Sequence, residues 1–354
     1  MRSFLNHLFK RAPGLTGAVF YGVIAWGLAS CDKQGETPAW DTPGAAVRPV
    51  PAELPAPVAP KPERQTAAAP VPVGTATDAS GVGLRFIAYN VQNWLTMDRF
   101  VENKMLKNSP KPDAEKNAII EILAKNAPDV IGLCEIGEAA DLAEIQQSLK
   151  AAGLDLPHSQ YSGGSDPVRH LGLLSRFPIT STAKPTETDF QLKGRVFTIN
   201  RGILDATIQA RGRSYRFLGV HLKSKREIQE ADQEEMRIHE ARLLRRHVDS
   251  ILQKDPQARL IVYGDFNDTR PTKAFKTVTG SYSAPGYLTA IPFKDSRGDA
   301  WTHHWAMHDI YSRIDFVTVS RALRPEVDFR ASHIIDPPLW KNASDHRPLL
   351  AIFK

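Results

Sequence analysis

Hydrophobic positions along the chain fall into short β-rich runs and a few amphipathic helices, and all of this patterning lies beyond about Gly81. Residues 84–91 and 129–135 predict two strands, and 171–175, 201–209 and 215–222 predict three more. Residues 259–264, 313–319 and 348–353 complete the β inventory. Between them, residues 113–126 set Ile119, Ile120 and Leu123 on one helical face and stop at Pro128. Residues 230–252 carry Leu244, Val248 and Ile251 at helical spacing. Strands and helices mixed in one large unit predict α and β layers stacked around sheets, in a single catalytic-sized domain over residues 82–354.

The first 81 residues have a different texture. Arg2, Lys10 and Arg11 form a basic start, followed by an uncharged, largely apolar run from Gly14 to Ser30 that ends in Leu28-Ala29-Ser30-Cys31. Small residues before a cysteine match an export cleavage site, and the string resembles the lipobox of bacterial lipoproteins, which implies a signal segment over residues 1–31, with cleavage before Cys31 and lipidation of that cysteine as the new first residue. The alternative is an uncleaved membrane anchor. Asp32 resembles a signal for retention at the inner membrane. Residues 32–81 are rich in Pro and Ala and nearly free of aromatic residues, so they lack the material for a core and suit a semi-rigid tether. The expected location is the cell envelope, tethered to the membrane and facing the periplasm or the exterior.

Charge and cysteines narrow the chemistry only slightly. A formal net charge of +6 leans toward an anionic partner. Two cysteines, Cys31 and Cys134, are too few for a disulfide framework or a cysteine zinc site, and a bridge between them is not expected.

The informative pattern is where polar residues sit. Asn90, Glu135 and His221 each close an apolar run, Asp265 and Asn267 follow another, Asp315 lies within Arg313-Ile314-Asp315-Phe316, and Asp345-His346 precede the last strand. One carboxylate after a strand is usually a cap or a turn residue; six such ends are not explained that way. Phosphodiester cleavage accounts for the residue types. A hard cation held by oxygen donors offsets the substrate charge, and a histidine oriented by an aspartate, a pair that His346 and Asp315 could form, can move a proton near neutral pH.

In this order, Tyr-Asn, Glu, His, Gly264-Asp265-Phe266-Asn267, Ile-Asp-Phe and Ser344-Asp345-His346-Arg347-Pro348 resemble the endonuclease/exonuclease/phosphatase superfamily, from about Leu84 onward. The resemblance implies an α/β fold, a four-layer αββα sandwich with two mainly antiparallel or mixed sheets packed face to face between helices. It implies Glu135 as principal metal ligand with Asn90 beside it and Asp345 completing the metal and water network. His346 paired with Asp315 is then a general base or a phosphate contact, and Asp265 and Asn267 orient water and bind the scissile phosphate. His221 resembles the second histidine of the DNase I and sphingomyelinase branches. The expected metal is Mg²⁺, with Mn²⁺ as a substitute.

Lys223 and Lys225 add cations beside His221, with a solvated loop as the alternative for Lys225. Arg201 and Arg313 both fall near the site, and Arg313 is the one selected as a structural or phosphate contact. Trp301, His303, His304, Trp305 and His308 form a cluster that could stack on bases or hold zinc, but it fits a loop packed near the cleft better. The leading expectation is a monomeric phosphodiesterase or nuclease acting on nucleic acid outside the cytoplasm. A sphingomyelinase-like or inositol-phosphate-like hydrolase is the second reading, weakened by the lack of any long apolar insertion in the sequence. A non-catalytic binding module is the third.

Overall fold

The computed structural model describes residues 83–101 and 104–354. The expected signal at 1–31 with Cys31, and the expected tether at 32–81, lie outside the described residues. Chain order runs β1 (Arg85–Trp94), α1 (Asp113–Asn126), β2 (Val130–Ile136), α2 (Ala139–Ala151), β3 (His158–Ser162), β4 (His170–Ser175), β5 (Ile179–Thr182) and β6 (Ile203–Ala210). It continues with β7 (Arg213–His221), α3 (Gln233–Lys254), β8 (Leu260–Asp265), α4 (Lys273–Thr279), β9 (Thr289–Ala290), β10 (Asp315–Val319), β11 (His333–Ile334) and β12 (Leu349–Ile352). Three two-stranded ribbons stand outside these: Met97–Val101 with Lys104–Ser109, Asp189–Leu192 with Arg195–Thr198, and His303–Trp305 with Ile310–Ser312.

The strands build two six-stranded sheets, ordered β11-β12-β1-β2-β4-β3 and β9-β10-β8-β7-β6-β5. Each is antiparallel apart from one central parallel pair, β1 with β2 in the first and β7 with β8 in the second. A parallel pair needs a crossover, and α1 and α3 supply them. Both parallel pairs therefore present two strand C-termini side by side, the place where α/β sheets commonly assemble binding groups.

Side-chain alternation sorts the apolar residues into three layers of contact. Phe86 and Ala88 of β1, Tyr215 and Phe217 of β7, Ile261 and Tyr263 of β8, and Val317 and Val319 of β10 meet in the core between the sheets. Phe86 packs at 5.0 Å from Phe217 and 4.9 Å from Tyr263, ring centre to ring centre. The opposite parity, Ile87 and Tyr89, packs against Ile119 and Leu123 of α1 and Ile145 and Leu149 of α2. Leu218, Val220 and Val262 pack against Leu244 and Val248 of α3 and Phe275 of α4. The result is the four-layer αββα sandwich expected from the sequence. Among the described residues no helix is long and apolar enough to cross a membrane.

Candidate active site

Asn90, His221, Asp265 and Asp315 share the parity of the inter-sheet stripes, so each is the position at which an apolar core stripe ends in a polar group. β10 runs antiparallel to β8 and pairs Asp315 with Asp265; β12 runs antiparallel to β1 and brings the preceding Asp345-His346 to the same end. Glu135 has the wrong parity, because Ile131 and Leu133 of β2 face the helices. A register shift between Cys134 and Ile136 and a φ of 66° at Glu135 rotate it toward the others. Nor does Asn90 end its strand as expected. β1 continues to Trp94 through an irregularity, with Gln92 and Asn93 at positive φ.

Backbone freedom is just as specific at Gly264. Its φ is +131°, and a Cβ there would lie 1.9 Å from the Val220 carbonyl oxygen. Gly264→Ala is expected to cost on the order of 3 kcal/mol, combining overpacking and strain, and to lower the melting temperature by about 10 °C. An unchanged thermal unfolding curve would contradict this account of why β7 and β8 approach so closely.

The polar groups form one network. Asn90 Nδ2 donates to Glu135 Oε1 at 3.2 Å and to Asp265 Oδ2 at 3.1 Å. Glu135 Oε2 accepts from the Asn93 amide at 2.9 Å. His346 Nδ1 lies 2.8 Å from Asp315 Oδ2, the pairing anticipated from the sequence, and His346 Nε2 faces Asp265 Oδ2 at 3.8 Å. His221 Nε2 stands 3.6 Å from Asp265 and 3.9 Å from Glu135. The amide of Asn267 donates to Asp265 Oδ1, while its side chain donates to the Leu222 carbonyl.

Residues beyond the expected set hold this network in place. Thr302 Oγ1 accepts from the amides of both Ile314 and Asp315, fixing the Asp315 backbone. Ser344 Oγ donates to the Asn90 carbonyl and accepts from the His346 amide, and the Asp345 amide donates to Gln92 Oε1. Arg347 is fully buried, ion-paired to Asp295 at 2.7 Å, stacked 3.3 Å above the Trp301 ring and donating to the Trp301 carbonyl. It is a structural buttress beneath His346.

Burial and crowded charge shift the proton affinities. Burial, then the Asp315 charge, pushes Asp265 up to about 7. Burial pulls His346 down most strongly of any single influence, but Asp315, Asp345 and Asp265 together outweigh it and hold the imidazole well above its ordinary value. His221 is driven well below its ordinary value by burial and then by Arg201, His346 and Arg169. The two histidines of one cleft are thus shifted in opposite directions.

Two expected substrate contacts point elsewhere. Arg313 donates to the Ile291 carbonyl at 2.8 Å and lies over the Phe316 ring at 5.3 Å, which commits its guanidinium to the fold. Lys223 is buried and turns its ammonium to the carbonyls of Arg226 and Ser224, while Lys225 is exposed beside Asp268. Arg201, set aside in favour of Arg313, is the arginine the structure brings near His221. It is 7% exposed, and its Nε and Nη1 are buried without hydrogen-bond partners; Nε is 3.2 Å from Asp166 Oδ2 but misaligned for a bond.

The residues 86–292, more than half of the chain, match a family model described as Endonuclease/Exonuclease/phosphatase family. The chain belongs to that family. It is therefore a hydrolase of phosphoric esters that works with a divalent metal. Asp315, Asp345 and His346 fall outside the matched span, and the folded geometry unites them with Asn90, Glu135, His221 and Asp265 inside it. The human Nocturnin catalytic domain is similar in structure, with a TM-score of 0.53, 18% identity, and coverage of 77% of this chain and 94% of that one. A Neisseria 3′ phosphatase, NExo, bound to product DNA hairpin, gives 0.53 and 15%, covering 77% and 99%. Sphingomyelinase C from Streptomyces griseocarneus gives 0.50 and 16%, covering 77% and 99%. At these identities the likeness shows the fold. No curated protein sequence matches the chain.

The donor set fits a hard divalent cation. Glu135, joined by Asp265, offers carboxylate oxygens at one strand-end cluster, the chemistry Mg²⁺ and Mn²⁺ prefer. Asn90 turns its Nδ2 to both carboxylates and its Oδ1 to the Gln92 amide, and Asp345, the third expected ligand, faces His303 and His346 instead. A cation held there would offset the negative charge of a substrate phosphate.

Proposed function

We propose that the chain is an Mg²⁺-dependent phosphodiesterase of nucleic acid, working outside the cytoplasm as a monomer tethered at the cell envelope through a lipidated Cys31. The observation that carries the phosphodiester reading is the arginine side of the cleft, where His221, 3.6 Å from Asp265 and with a depressed proton affinity, lies near Arg201 with its two buried donors that lack hydrogen-bond partners. A phosphate between the two sides would be met by charge-assisted donors. Asp265, whose carboxyl is pushed up to about 7, accepts a proton from the attacking water in its ionised form. His346, oriented by Asp315, contributes positive charge to the developing phosphorane, and His221 donates to a phosphate oxygen. Nucleic acid is favoured by the partly exposed Trp305 and Tyr311 on the 303–312 ribbon next to His346, and by exposed Lys104 and Lys107 on the 97–109 ribbon.

A lipid phosphodiester is the second reading, on a different observation. Although the sequence shows no long apolar insertion, Met307 is 83% exposed on one ribbon, and Phe100 and Met105 are 68% and 60% exposed on the other. Side-by-side assays of DNA, RNA, sphingomyelin and inositol phosphates with Mg²⁺ decide between the two, and turnover of lipid alone overturns the nucleic-acid proposal. Arg201→Gln is expected to lower kcat/KM by roughly 10- to 100-fold, the worth of a charged hydrogen bond. The loss should fall mainly on KM, with weaker competition by inorganic phosphate. An unaltered KM would remove Arg201 from the substrate wall.

A further inference from the structure

We infer that His303, Asp345 and His346 form a second metal site, beside the oxygen-lined position at Glu135 and selective for a borderline cation such as Zn²⁺ or Co²⁺. His303 opens the 303–312 ribbon and is bridged to His346 through the backbone, and the two imidazole centroids are 4.6 Å apart. Each ring has its Nδ1 committed. That of His346 faces Asp315 at 2.8 Å, and that of His303 faces Ser312 Oγ at 3.3 Å. Both Nε2 atoms are thereby turned to the two oxygens of Asp345, at 3.8 Å for His303 and 3.9 Å for His346. One ligand atom from each of the three residues lies within 4.8 Å of the others.

Outer hydrogen bonds of this kind fix the tautomer of metal-binding histidines and aim the free nitrogen. Tetrahedral zinc, with bonds of about 2.0 to 2.2 Å, sets its ligand atoms about 3.3 Å apart, so atoms that lie within 4.8 Å of one another close by up to about 1.5 Å to complete the site. Asp345 is 35% exposed and His303 20% exposed in their side chains, which leaves a path for entry and an open fourth position. Two imidazoles and one carboxylate suit borderline metals, whereas Mg²⁺ favours oxygen donors. The binding does not depend on the substrate proposed above. One consequence does rest on that reading: a cation on His346 removes it from proton and phosphate work, so Zn²⁺ would inhibit Mg²⁺-supported hydrolysis.

The test is a Co²⁺ titration of the metal-free full chain in excess Mg²⁺, followed by visible absorption and calorimetry. One Co²⁺ is expected to bind with nitrogen-containing coordination and to resist Mg²⁺. In His303→Ala, and in the bulkier His303→Gln, the affinity should fall by about a hundredfold, on the scale set by disturbed histidine ligation. Thermal unfolding of both variants confirms that the fold persists. Displacement of Co²⁺ by Mg²⁺, or unchanged affinity in the folded variants, overturns the site. If no phosphoester is turned over at all, the titration still decides the metal site independently.

Discussion

Asp265→Asn is expected to abolish hydrolysis and at the same time to stabilise the metal-free protein at alkaline pH. The folded state holds the Asp265 carboxyl at about 7, far above an ordinary aspartate, mainly because the group is buried and secondarily because Asp315 faces it. For a carboxyl raised in this way the sign is clear. Its contribution is fully favourable below the unfolded value near 4, where both states are protonated, and is lost as pH rises through 7, because the folded state must then bury a charge. Asparagine carries no such charge. At pH 8, in chelator, the variant should gain on the order of 1 to 3 kcal/mol, and the gain should shrink toward pH 4. Thermal unfolding at both pH values measures it. Turnover should fall about a thousandfold or more, in line with removal of a proton acceptor. A lower melting temperature at pH 8, or substantial remaining activity, contradicts the role given to Asp265.

Glu135→Gln should show the second large effect. The substitution preserves length, leaves the positive-φ backbone as it is, and retains one oxygen to accept from the Asn93 amide. It removes one negative charge at the cation site. Binding of Mn²⁺, followed by electron paramagnetic resonance, should weaken by at least about a hundredfold, and hydrolysis should fall by roughly a thousandfold, because each reflects several kcal/mol of charge compensation. Circular dichroism should be unaltered. Full-strength Mn²⁺ binding would place the cation somewhere other than Glu135.

Much of this architecture was legible in the sequence because its signals are local. Helix α1 matches the expected 113–126, bracketed by Pro112 before and Pro128 after. Helix α2 escaped notice even though Leu142, Ile145 and Leu149 are helically spaced. Its start is a capping box made by Glu138 and Asp141, without the usual serine or threonine signal. The pairing of His346 with Asp315 was legible from motif order. The direction of an arginine was not. Arg201 and Arg313 each sit beside a strand, and only packing shows that one guanidinium lies over Phe316 while the other is buried beside Asp166 with unpartnered donors. The turn of Glu135 was likewise hidden, since a positive φ at a non-glycine residue follows from sheet register, which no short window of sequence records.

The division of the site between two parallel strand pairs has a consequence in time. Asn90 and Glu135 belong to one sheet, His221 and Asp265 to the other, and His346 is delivered by the strand that closes back onto β1. No half of the chain holds a working set. During synthesis the growing polypeptide cannot assemble this network of side chains until the last strand has been made and docked onto β1.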